Sequence, residues 1–225
     1  MSGFDLDRLR DIPDPFGPAP AAGPMPKAPS APSATRDMVH RRRLAALATV
    51  VVYEAGWLAL VEHRSDLGSL RGAAIATGLL VPLVAALVAL VPVVARGRRG
   101  LGVSAVAMGV LCGLAPVVFA AVTWVTNPAD VEPGFWNLAI RCMGVTAVLT
   151  AIPLALGIAV FRHAFATASV LRSTALGVAC GAVAAATMSI GCLHDGAMHV
   201  IVGHGVTMIL GGLVGAWLGA RATRV

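Results

Sequence analysis

Six apolar stretches, each close to the length of a membrane crossing, leave this chain few folds from Leu44 onward. They run Leu44–Val61, Gly72–Ala95, Leu101–Val125, Cys142–Phe161, Thr174–Ile190 and Ala197–Ala220, with 18, 24, 25, 20, 17 and 24 residues. A helix needs about 20 residues to cross the hydrocarbon core, within a range of about 17–25. Pro82, Pro92, Pro116 and Pro153 fall inside these stretches, where packing neighbours tolerate a kink. The expected fold is all-α: a six-helix transmembrane bundle in a lipid bilayer. The short fifth stretch also admits a re-entrant, five-span version. Composition agrees. The chain is 57% hydrophobic and 12% charged, about half the charge a soluble domain carries. That is too little to wet a globule of this size, which argues against soluble enzymes, nucleic-acid modules and disulfide-stapled secreted domains.

Residues 1–43 have a different character. They hold 8 of the 14 prolines, and Ile12 to Pro32 is mostly Pro, Ala, Gly and Ser. Such a stretch cannot bury enough apolar surface to offset its ordering entropy, and is read as a disordered linker. Ahead of it, Phe4, Leu6, Leu9 and Ile12 lie among charged residues as a short amphipathic stretch. No signal peptide is legible, since the first apolar run begins only at Leu44.

The formal net charge of +6 would suggest nucleic acid in a soluble protein; here arginines flanking spans explain it without direct nucleic-acid binding. With the N-terminus inside, the cytoplasmic segments hold fourteen Lys and Arg residues: Arg8, Arg10, Lys27, Arg36, Arg41 to Arg43, Arg96, Arg98, Arg99, Arg162, Arg172, Arg221 and Arg224. The other side has only Arg64, Arg71 and Arg141, beside Asp66, Asp130, Glu132 and Asp195. Positive charge stays inside, so both termini are expected in the cytoplasm.

That orientation puts Cys142 and Cys192 at the outer face, where thiols meet incoming oxidants and metals and disulfides are permitted. Cys112 and Cys180 fall mid-span and read as small core residues. Around Cys192 the chain runs Gly191-Cys192-Leu193-His194-Asp195-Gly196-Ala197-Met198-His199, then His204. If a helix opens there, Cys192, Asp195 and His199 share a face, and Cys142 and His204 complete a candidate set for a transition or heavy-metal ion such as zinc or cadmium. The spacing matches no standard zinc motif. The alternative is that Asp195 caps the last helix while the histidines hydrogen-bond across the bundle. Glu54, about as deep in the first span as His204 is in the sixth, is expected to pair with it. Gly177 and Gly181, and Gly211, Gly215 and Gly219, are spaced for close helix packing, expected within the chain. No motif for soluble catalysis is present, and the protein is not read as an enzyme.

Arg141-Cys142 opening a span, Pro153 within it, the Phe161-Arg162 exit, Arg172 with Gly177 and Gly181, and then Cys192 resemble the NrsF family, negative regulators of sigma F. The resemblance covers residues 36–225 in architecture and 141–220 in motif. It implies a six-pass anti-sigma factor of the bacterial inner membrane that holds an extracytoplasmic-function sigma factor inactive. It also implies that two periplasmic cysteines linked to sensing map onto Cys142 and Cys192. The family often has an acidic, aromatic-rich segment after the second cysteine; the histidines found here instead turn the expected signal toward metal. A second class, a small transporter or metal-handling membrane protein, stays open. The regulator needs a cytoplasmic binding segment, for which Phe4, Leu6, Leu9 and Ile12 are the candidates.

Overall fold

A computed structural model describes residues 34–60, 76–94, 104–127, 131, 133–161 and 169–222. The amphipathic stretch at Phe4 to Ile12, the Pro-rich linker, and the loop arginines at 64, 71, 96, 98, 99 and 162 lie outside the described residues. The chain divides into two compact units, Met1–Met38 and Val39–Val225. Only the opening of the first helix is described in the former.

All the regular structure among the described residues is helical. Helix α1 spans Ala34–Leu60, and α2 spans Val81–Val94, preceded by a π-helical turn at Ala76–Leu80. Helix α3 is Ala105–Thr126, α4 is Phe135–Phe161 and α5 is Ser169–Gly191. The short α6, Ala197–His199, continues through a π-helical stretch, Val200–Gly205, into α7, Val206–Ala222. Four helices have the length and apolar composition of a membrane crossing: Ala105–Thr126, Phe135–Val160, Ser169–Gly191 and Ala197–Arg221. The first two apolar stretches appear as the shorter apolar helices Leu44–Leu60 and Gly78–Leu90. The fifth stretch is a full helix of 23 residues, long enough to cross without re-entry.

Local chemistry explains the boundaries. The Ser104 side chain accepts from the Ala107 amide at 3.1 Å and caps α3, satisfying one of the four donors a helix start leaves open. Pro82 has no amide to donate back to Gly78, and the chain is π-wound just before it. Before α4 the backbone turns through Gly134 at φ 77°, a left-handed conformation that costs glycine little. Helix α4 then starts at Phe135, seven residues ahead of the expected Cys142, and so gains about two turns at its first end.

Helix α5 is the centre of the bundle, packed by α2, α4, α7 and α3. From Ala175 to Met188 every residue except Val183 is buried, and most are Ala, Gly or Cys. A helix with such thin walls can be approached closely from several sides. The two glycine series meet each other: a Cβ on Gly177 would overlap the Gly211 carbonyl, and one on Gly181 would come within 2.7 Å of Met208 Cα. Gly215 and Gly219 rest in the same way on Ser173 and Ser169. Many large apolar side chains point outward instead, with Val125 82% and Val106 77% exposed. A soluble protein rarely shows so continuous an apolar surface; it is the kind of surface that suits acyl chains.

Candidate functional site

Cys142 stands two turns into α4, while Cys192 follows the end of α5, where its amide still bonds the Met188 carbonyl at 2.8 Å. The two sulfurs are 3.8 Å apart, and Cys192 Sγ lies 3.3 Å from His199 Nε2. His204 completes the group: one ligand atom from each of Cys142, Cys192, His199 and His204 lies within 4.8 Å of all the others. Cys192, His199 and His204 are buried, and Cys142 is partly accessible.

The π-helical stretch makes this convergence. In an α-helix, residues five apart point about 140° away from each other. A π turn bonds i to i+5, so winding Val200–Gly205 this way brings His204 round to the His199 face. Their ring centroids are 5.5 Å apart in an edge-on arrangement. Gly203 lets the stretch come close: a Cβ there would stand 3.2 Å from Cys142 Cβ. The Thr146 hydroxyl holds both sides, 2.7 Å from the Cys142 carbonyl and 3.3 Å from the Gly203 carbonyl. Asn127, at the end of α3, donates to the Asp195 carbonyl at 2.8 Å and ties the Cys192 connection to the same end of the bundle. Sequence reasoning missed Thr146 and Asn127; a polar residue closing an apolar stretch was the only signal of the latter.

Two expectations need correction. Asp195 is not a member of the group. The segment from Cys192 to Gly196 is not helical, so the shared face assumed for Cys192, Asp195 and His199 does not exist. Nor does Asp195 cap the next helix: Gly196 takes the N-cap position, without a side-chain cap bond. The pairing of Glu54 with His204 is also absent, since neither side chain has a hydrogen-bond partner of good geometry. His204 is turned to the cysteines, while Glu54, 7% exposed, has Thr187 and Cys180 of α5 as its polar neighbours.

An apolar shell surrounds the sulfurs. Leu149, Ala184, Met188 and Cys192 form one buried cluster, against which Tyr53 and Trp57 of α1 pack together with Cys142 and Val145. The Tyr53 hydroxyl donates to the Val148 carbonyl at 3.3 Å. The Cys192 thiol is raised above the ordinary cysteine range by its hydrogen bond with Cys142, and burial adds to this, while His199 and His204 pull it down. Cys112 and Cys180 are buried in the other core cluster, apart from this group.

A family model for negative regulators of sigma F, NrsF, matches residues 28–224. The chain belongs to the NrsF family. No curated protein and no solved structure gives a significant match. The NrsF match takes in every member of the cysteine and histidine group and all the described helices, while Phe4, Leu6, Leu9 and Ile12 precede it. Within this NrsF chain, the group sits at the opposite end of the last span from Arg221, which lies over the Trp217 ring at 3.8 Å. This span, Ala197–Arg221, has 25 residues, enough to cross a hydrocarbon core.

Proposed function

We propose that the protein is a six-pass anti-sigma factor of the bacterial inner membrane, with both termini cytoplasmic. In this reading it holds an extracytoplasmic-function sigma factor inactive and releases it when an oxidant or thiophilic metal reaches Cys142 and Cys192. The observation that carries it is the 3.8 Å approach of two thiols from different helices at the end of the bundle away from Arg221, in a family named for negative regulation of a sigma factor. Oxidation would join the two sulfurs in a disulfide, with two electrons and two protons passing to the oxidant. The sulfurs would have to close to about 2.05 Å, pulling α4 and the α5 connection together. Tyr53 and Trp57 pack against the buried cluster that includes Cys192 and belong to α1, whose chain continues toward the N-terminal segment assigned to the sigma factor. A change at the sulfurs is thereby felt by the helix that leads to the partner.

The test is co-purification of the full-length protein in mild detergent. A sigma factor should accompany the wild type and be released by a thiol oxidant. Cys142→Ser and Cys192→Ser should retain it, whereas Cys112→Ser and Cys180→Ser should release it normally. Release from both outer variants would sink the cysteine site. Absence of any sigma factor would sink the regulator and leave the transporter class.

Orientation has its own test, resting on the fourteen-to-three charge split. A reporter fused after Val225 should be active as a cytoplasmic fusion, and one inserted near Asp130 as a periplasmic fusion. A periplasmic C-terminus would put the cysteines on the wrong side for an external signal.

A further inference from the structure

We propose that Cys142, Cys192, His199 and His204 form a closed, four-ligand site for one thiophilic divalent cation of the zinc and cadmium class. Three observations converge on it.

The first is metric. Tetrahedral zinc takes sulfur at about 2.3 Å and imidazole nitrogen at about 2.0–2.1 Å, which sets ligand edges of about 3.8 Å between sulfurs and about 3.6 Å between sulfur and nitrogen. The observed edges are 3.8 Å for Cys142 to Cys192 and 3.3 Å for Cys192 to His199. All remaining edges are within 4.8 Å, so small side-chain rotations close the shell.

The second is an unmet demand. His204 has no exposed surface, and neither of its ring nitrogens has a hydrogen-bond partner of good geometry. A buried polar group left so is destabilising, and a metal–nitrogen bond would meet its demand. Its neighbours within ligand distance are the two sulfurs and His199.

The third is charge. Two thiolates and two neutral imidazoles around a divalent ion sum to zero. An isolated charge in this apolar shell would be expensive, but a neutral complex is not. Two sulfurs and two nitrogens select soft or borderline ions over magnesium or calcium, which prefer oxygen. Four protein ligands leave no open position for a reacting water, so the site is one for binding and not for metal catalysis.

The ion and the disulfide compete, because both sulfurs serve each of them. Binding expels the thiol protons and draws the two imidazoles and the two sulfurs together around the ion; the disulfide then forms only after the ion leaves. For its regulatory consequence the site rests on the function proposed above, but the binding itself does not.

The experiment uses full-length protein, reduced and purified in detergent. Cadmium is titrated while sulfur-to-metal charge-transfer absorption is followed, and zinc is measured by competition. Saturation is expected at one equivalent per chain. Cys142→Ser and Cys192→Ser should weaken binding at least about a hundredfold, and His204→Gln at least about tenfold, as expected when tight coordination loses a ligand. Cys180→Ser should bind as wild type. A second measurement does not depend on whether the ligand variants fold. In a protein carrying Cys112→Ser and Cys180→Ser, one equivalent of cadmium should block maleimide labelling of both remaining cysteines and prevent their oxidation to a disulfide. Absent or non-stoichiometric binding, unblocked labelling, or wild-type affinity in a folded His204→Gln variant would overturn the proposal. If a sigma factor co-purifies and leaves on oxidation while no cadmium binds, this site fails and the regulator stands. Stoichiometric cadmium binding to a protein that carries no sigma factor does the reverse.

Discussion

Replacing Gly177 with alanine should strip the folded protein of much of its stability, although the change adds a single methyl group. Its Cβ would overlap the Gly211 carbonyl, and the next nearest atoms, Gly211 C and Gly212 N, are also backbone. No side chain can rotate out of the way, so α5 and α7 must separate. Overpacking a tight core typically costs about 1–3 kcal/mol; a backbone-to-backbone clash at the central seam belongs at the upper end. The loss acts against a helix propensity gain of about 1 kcal/mol for alanine over glycine. Gly113→Ala isolates that gain, because nothing lies within 4 Å of a Cβ at Gly113. Thermal unfolding in detergent, read by size-exclusion profile, should place Gly177→Ala well below the wild type and Gly113→Ala at or slightly above it. Equal stability of the two variants would mean that α5 and α7 are not packed as described. Gly177→Leu should leave almost no monodisperse protein, since the longer side chain has nowhere to lie along this seam.

The double substitution Phe4→Ala with Leu9→Ala should switch the target genes on without any stress. The proposed regulator must grip its partner through cytoplasmic residues, and in the proposed orientation the cytoplasmic loops are short and Arg-rich. Phe4, Leu6, Leu9 and Ile12 are the large apolar side chains that stand close together in residues 1–43. A segment of this kind can fold on binding, laying its apolar face into a groove of the partner. Burying each large side chain contributes about 1.5–3 kcal/mol, so removing two weakens the complex at least about a hundredfold. The measurement is transcription of a target promoter in unstressed cells, with membrane levels of the protein checked by immunoblot. A promoter that stays silent at normal levels would move the grip to the loops. The two predictions are separable: Gly177→Ala lowers the amount of folded protein, whereas the N-terminal pair should leave it unchanged.

Much of this protein is written locally. A run of about 20 apolar residues has one low-energy conformation in hydrocarbon, because only a helix satisfies its backbone within the segment. Helices α3 to α5 and the last span therefore follow from composition alone, give or take the extra turns at the ends of α4 and α5. The glycine series were legible for the same reason: residues four apart stack on one face of any helix. Family membership was legible too, and the family model matches residues 28–224. The site was only half legible. Cys142, Cys192, His199 and His204 stood out as polar groups in apolar surroundings, yet their grouping was mistaken twice, by including Asp195 and by joining His204 to Glu54. The first error came from extending a regular α-helix through residues 192–199, the second from matching depth in the two spans without the phase of the last one. Tertiary structure decides otherwise: the chain stays non-helical to Gly196, then winds as a π-helix from Val200 to Gly205. Helical phase across such a segment depends on what packs against it, here Cys142 on Gly203 and Thr146 on the Gly203 carbonyl. Those partners are some 60 residues away along the chain, beyond the reach of any local periodicity.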